Sequence, residues 1–119
     1  MSETWTVAVG DAGEVTAAYD QSSGGDDAAV FVCAHGAGGS MADKGVLATT
    51  SALRARGVGV VRFNFLYKEK QSGRPDRMPL LMETAAAVTD RARAELRPRR
   101  LVIGGRSMGG RAASMLAAD

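Results

Sequence analysis

Three short apolar runs constrain what this chain can fold into: AAVFVCA at 28–34, VGVVRFNF at 58–65 and RLVIGG at 100–105. Each is rich in β-branched or aromatic residues. The first is unbroken, as a strand buried on both faces should be. Between the runs lie stretches of helical periodicity. Over 43–56, Val46, Leu47, Thr50 and Leu53 recur at helical spacing, and Gly57 supplies a stop. Over 79–97, Leu81, Ala85, Val88, Ala92 and Leu96 form one apolar stripe, closed by Pro98. SMGGRAASMLAA opens a further helix after the last strand. Strands that alternate with helices imply a mostly parallel α/β sheet.

An antiparallel hairpin precedes that sheet. TWTVAV alternates, with Trp5, Val7 and Val9 on one side; GDAG supplies a turn, and EVTAAY a second strand. DQSSGGDD and the stretch 66–79, with two prolines, read as polar loops. The expected order is β-β-β-α-β-α-β-α. Neither an internal repeat nor a linker divides it, so residues 1–119 read as a single domain.

Composition narrows the function classes. Aromatic residues are only 5% of the chain, so the core must be built from Val, Leu, Ile, Ala and Met. Cys33, the one cysteine, sits in a buried run and reads as a small core residue; its solitude fits a reducing, cytoplasmic setting. The acidic start MSETWTVAVG has no signal-peptide pattern, and no apolar run reaches membrane-spanning length. Residues 1–50 carry net charge −6 and residues 51–119 carry +8. The arginines behind that asymmetry are scattered and lack an aromatic stripe, so a nucleic-acid partner is not expected. Neither Asp76 nor Glu83 has a companion at metal-ligand spacing. A dinucleotide loop at HGAGG fails on its third glycine position, Met41, and on the missing acid after Phe63 and Asn64. No cofactor is expected.

The chemistry concentrates where strands end. Gly105, Arg106, Ser107, Met108 and Gly109 fit G-x-S-x-G between a strand and a helix. A nucleophilic serine needs a sharp turn with unfavourable backbone angles, so that its hydroxyl stands clear of the sheet. Glycines two positions to either side let strand and helix approach. The Met108 N–H can then face a developing oxyanion. A second donor is expected from the loop after the third strand, where His35, Gly36, Ala37 and Gly38 stand; Ala37 is the first choice and Gly38 the next. His35, the only histidine, reads as a residue that bonds its own loop and holds the oxyanion backbone. The other option is a base for Ser107, if the third and fifth strands are neighbours. Arg106 and Arg111 flank the serine turn and read as surface residues, and Ser114 and Met115 as helix packing.

HGAGGSM, RFNF and GGRSMGGRAASMLA, in this order and spacing, resemble the small dienelactone-hydrolase-like α/β hydrolases. More narrowly, they are similar to a bacterial branch related to the hydrolase-like domain of a testis-expressed mammalian protein and of an NSL-complex subunit. The resemblance spans roughly residues 28–118. It implies an α/β-hydrolase fold, a small-molecule acyl substrate, Ser107 as nucleophile, and Met108 and Ala37 as oxyanion donors. It also implies a proline where this chain has Leu66.

The same resemblance exposes a gap. In such hydrolases the serine is followed, after later strands, by an Asp or Glu and then a His. Twelve residues follow Ser107 here; none is histidine, and only Asp119 is acidic. The chain is therefore expected to be the N-terminal half of a hydrolase domain, ending after the serine turn and its helix. Removing the base of a triad costs on the order of 10⁶ in turnover. These residues alone are expected to be inactive, with a non-catalytic interaction module as the alternative. Oligomeric state is not readable.

Overall fold

The computed structural model describes residues 2–118; Asp119 lies outside the described residues. The order is β1 (Ser2–Val9), β2 (Gly13–Asp20), β3 (Ala29–Ala34), α1 (Lys44–Ala55), β4 (Val58–Phe63), α2 (Leu66–Glu69), α3 (Met78–Leu96), β5 (Arg100–Gly105) and α4 (Met108–Ala118). The five strands form one sheet in the order β1-β2-β4-β3-β5. β1 and β2 are the expected hairpin, and β2 runs antiparallel to β4. β3 is parallel to both β4 and β5.

Side-chain alternation on the central strands explains the layers. Val30, Val32 and Ala34 of β3, with Val61 and Phe63 of β4, share a core with Leu81, Ala85, Val88 and Ala92 of α3 and Ala112 of α4. Cys33 and Val60 point to the other face, where Val46 of α1 covers them. The two faces are therefore clad by different helices. The chain leaves β3 for one face and leaves the adjacent β5 for the other. Their carboxyl ends thus form a topological switch point, where a crevice opens in sheets of this type.

Two local expectations are corrected. The stretch 66–79 is not all loop, because Leu66–Glu69 forms the short helix α2. Leu66 and Tyr67 are buried there, so tertiary packing secures a turn too short to stand alone. Leu66 occupies the first helical position, where proline is also tolerated, so its difference from the related pattern leaves the turn intact. Leu47 is 40% exposed although it shares the helical spacing of buried Val46 and Thr50. β5 is the outer strand, and its Val102 is 56% exposed.

Candidate active site

The register of β3 and β5 pairs Ala34 with Gly105, so the two glycine motifs leave the sheet side by side. The Arg106 N–H continues the ladder by bonding the Ala34 carbonyl at 3.1 Å. The chain then turns at Ser107, whose φ is +49°. This left-handed conformation is unfavourable for a residue with a Cβ and typically persists where surrounding structure enforces it. Here the enforcement is visible. The Gly109 N–H bonds the Arg106 carbonyl at 2.9 Å, and the Arg111 N–H bonds the Ser107 carbonyl at 2.9 Å. These bonds wind α4 directly behind the serine, leaving Ser107 exposed.

The glycines on either side are sterically required. A Cβ on Gly105 would run into the Ala34 carbonyl and lie 2.9 Å from the Ala34 Cβ. One on Gly109 would overlap the His35 carbonyl and lie 2.8 Å from Ala34 backbone atoms. The start of α4 therefore presses against the end of β3. The Met108 N–H opens that helix, where backbone donors have no intrahelical acceptor. It is free to meet an anion beside Ser107.

The second loop reaches the same place. A Cβ built on Gly36 would lie 3.6 Å from the Ser107 Cβ. Gly36–Gly39 is a tight turn, closed by the Gly39 N–H on the Gly36 carbonyl at 3.0 Å. Gly38 has φ +77° and Ala37 is not in the positive region, which is the type II pattern. Ala37 and Gly38 thus stand at the two central positions of a turn beside the serine.

His35 is fully buried beneath this turn. Its Nε2 accepts the Phe65 N–H at 3.1 Å, so the ring proton resides on Nδ1, which donates to the Gly36 carbonyl at 2.8 Å. Phe65 also stands edge-on to the ring, with centroids 5.0 Å apart. Burial holds the imidazole below its ordinary pKa of 6.5, outweighing the Gly36 hydrogen bond. Both nitrogens are committed to backbone, and neither serves Ser107. This geometry matches the loop-holding reading of His35 and leaves no free nitrogen for the base option.

Sequence reasoning missed the support that RFNFLY gives this loop. Arg62 bonds the Met41 carbonyl at 3.0 Å and is anchored by Asp20 at 2.7 Å. The Asn64 carbonyl oxygen accepts the Met41 N–H at 2.9 Å, and its amide nitrogen donates to Glu69 at 2.9 Å. Phe65 holds His35, as described. The signal was present in the chain: Arg62 and Asn64 interrupt an otherwise apolar run, and polar groups there require partners. Arg106 lies over the first turn of α1, beside Gly45, and Arg111 is exposed. Cys33 is a buried free thiol whose pKa burial raises. Among the described residues no His, Cys, Asp and Glu cluster suits a metal ion, and no helix is long and apolar enough to cross a membrane.

Solved structures share this fold. An α/β serine hydrolase without a lid from Xanthomonas campestris superposes with TM-score 0.86 and 29% identity, over 98% of this chain and 56% of that one. An α/β serine hydrolase homologue from Coxiella burnetii gives 0.84 and 24%, over 97% and 56%. A dienelactone hydrolase from Anabaena variabilis gives 0.80 and 22%, over 99% and 57%. The chain thus spans little more than half the length of these structures. No curated protein matches it. Residues 27–119 match the family described as alpha/beta hydrolase domain, and by that match over most of its length the chain belongs to the alpha/beta hydrolase family.

Proposed function

We propose that these residues form the nucleophile-bearing half of a serine hydrolase that cleaves an ester or related acyl bond of a small molecule. Ser107 Oγ attacks the acyl carbon, and its proton passes to a base. The carbonyl oxygen becomes an oxyanion that the Met108 and Ala37 N–H groups hold, with Gly38 as the other candidate for the second donor. Collapse of that intermediate expels the alcohol and leaves an acyl-Ser107 ester, which water then hydrolyses. The chemistry calls on no cofactor. The observation that carries the reading is the left-handed Ser107 at a strand-to-helix turn, with the Met108 N–H opening the following helix and a second tight turn beside it.

On this reading the base comes from outside these 119 residues, because both nitrogens of His35, the only histidine, are taken. By themselves the residues are not expected to turn over. The same absence of a free base favours the second reading, a non-catalytic interaction module on the hydrolase fold. Hydrolysis of p-nitrophenyl acetate and butyrate separates the two. The polypeptide isolated from its native source should hydrolyse them, and Ser107→Ala should abolish the reaction. Equal rates with and without Ser107 would reject the catalytic reading.

A further inference from the structure

The Gly36–Gly39 turn carries no side chain beyond the Ala37 methyl, so its place beside Ser107 must be set at its two ends. One end is His35, whose nitrogens hold the Phe65 N–H and the Gly36 carbonyl. The other is Met41, where both backbone groups are taken. Asn64 Oδ1 accepts the Met41 N–H at 2.9 Å, and Arg62 donates to the Met41 carbonyl at 3.0 Å. Arg62 is fixed in turn by its ion pair with buried Asp20. Asn64 is fixed by Glu69.

Glu69 ends α2, and its two oxygens are divided. Oε1 accepts the Thr16 hydroxyl at 2.6 Å, and Oε2 accepts the Asn64 amide nitrogen at 2.9 Å. The Asn64 N–H bonds the Thr16 carbonyl at 3.1 Å, so Thr16, Glu69 and Asn64 close a ring of three hydrogen bonds. Among the described residues Glu69 makes no ion pair; its carboxylate serves these two neutral donors. An amide side chain has a donor end and an acceptor end, whereas a carboxylate only accepts. Turned over, Asn64 would set its oxygen against Glu69 and its nitrogen against the Met41 N–H. The carboxylate therefore aims Asn64 Oδ1 at Met41.

We propose that Glu69 is a positioning residue: held by Thr16, it orients the Asn64 amide onto Met41 and so fixes the far end of the loop that presents Ala37 and Gly38 beside Ser107. Glu69 acts through Asn64 and touches no reacting atom. The hold on Met41 stands without any reading of the turn's chemistry. Its effect on turnover rests on the reading of this turn as an oxyanion loop. The short helix α2 thereby gains a role in the site, and β2 of the hairpin is tied to the loop through Thr16.

A double-mutant cycle on the polypeptide of native length tests this, with amide hydrogen exchange resolved at Met41. Glu69→Ala should speed Met41 exchange about tenfold, as loss of one hydrogen bond entails, while Val32 and Val61 in the sheet keep their rates. Asn64→Ala should do at least as much, and the double variant should add little to it, because Glu69 acts through Asn64. Asn64→Asp combined with Glu69→Gln exchanges amide and carboxylate but keeps a donor against an acceptor at every contact, so it should restore the wild-type rate. On p-nitrophenyl butyrate Glu69→Ala should lower kcat about tenfold with KM near wild type. An unchanged Met41 amide in Glu69→Ala overturns the proposal. So do fully additive effects, or an equal rise at Met41, Val32 and Val61. The exchange is read without turnover, so a failure here is distinguishable from a failure of the catalytic reading.

Discussion

Replacing His35 with leucine isolates what the buried imidazole does. Leucine fills similar volume, so the cavity contribution is small and the polar loss dominates. One backbone group loses its only partner, the buried Phe65 N–H at 3.1 Å; the Gly36 carbonyl loses the imidazole at 2.8 Å but keeps the Gly39 N–H at 3.0 Å. Leaving a buried donor or acceptor unpaired costs about 1–3 kcal/mol each. With one buried group left unpaired, His35→Leu should cost about 1–3 kcal/mol at pH 8. Urea denaturation gives the value directly. The pH dependence supplies a sharper test. Burial holds the native imidazole below its ordinary value of 6.5, so the unfolded chain binds the proton first. The wild-type contribution from His35 is intact above pH 6.5 and is lost as pH falls from there towards the lower native pKa. His35→Leu removes that dependence. The stability gap between the two proteins should therefore narrow as pH falls below 6.5. A gap below about 0.5 kcal/mol at pH 8, within the range of ordinary surface substitutions, would refute the reasoning. A gap that widens towards acid would refute it equally.

Further expectations concern the serine turn and the outer strand. Ser107→Gly relieves the left-handed strain at φ +49° and should raise stability by about 1 kcal/mol in thermal or urea unfolding, while removing the nucleophile. Gly109→Ala drives a Cβ into the His35 carbonyl and the Ala34 backbone, and should lower stability by about 3 kcal/mol or more in the same assay. β5 has no strand on its outer side among the described residues, and Val102 is 56% exposed there. The isolated 119-residue chain should therefore self-associate and melt with low cooperativity, and Val102→Lys should shift sedimentation towards monomer.

Much of the fold was legible because its strands and helices differ in kind. AAVFVCA has no polar interruption, and the 79–97 stripe repeats at helical spacing, so the two periods do not compete. G-x-S-x-G lay between two confidently opposed elements, which is why the strained Ser107 was anticipated. What stayed hidden depends on contacts distant in sequence. Pairing of the hairpin with β4 rather than with β3 leaves no mark on the pattern of β2. α2 is four residues long, and its Leu66 and Tyr67 are helical because the core receives them, not because of local propensity. Leu47 and Val46 are adjacent and equally apolar, yet only the sheet's position decides which is buried. The holding of the 36–41 loop by Arg62 and Asn64 was likewise invisible as a contact, although polar residues within a buried run pointed to partners.

The central claim, that Ser107 is a nucleophile activated by a base outside these residues, is tested most directly by a fluorophosphonate probe and peptide mapping. The polypeptide as its native source makes it should carry the adduct on Ser107 and on no other serine, while the isolated 119-residue chain should label far more slowly at the same residue. Absence of a Ser107 adduct on the native polypeptide, or an adduct at Ser114 instead, would contradict the account.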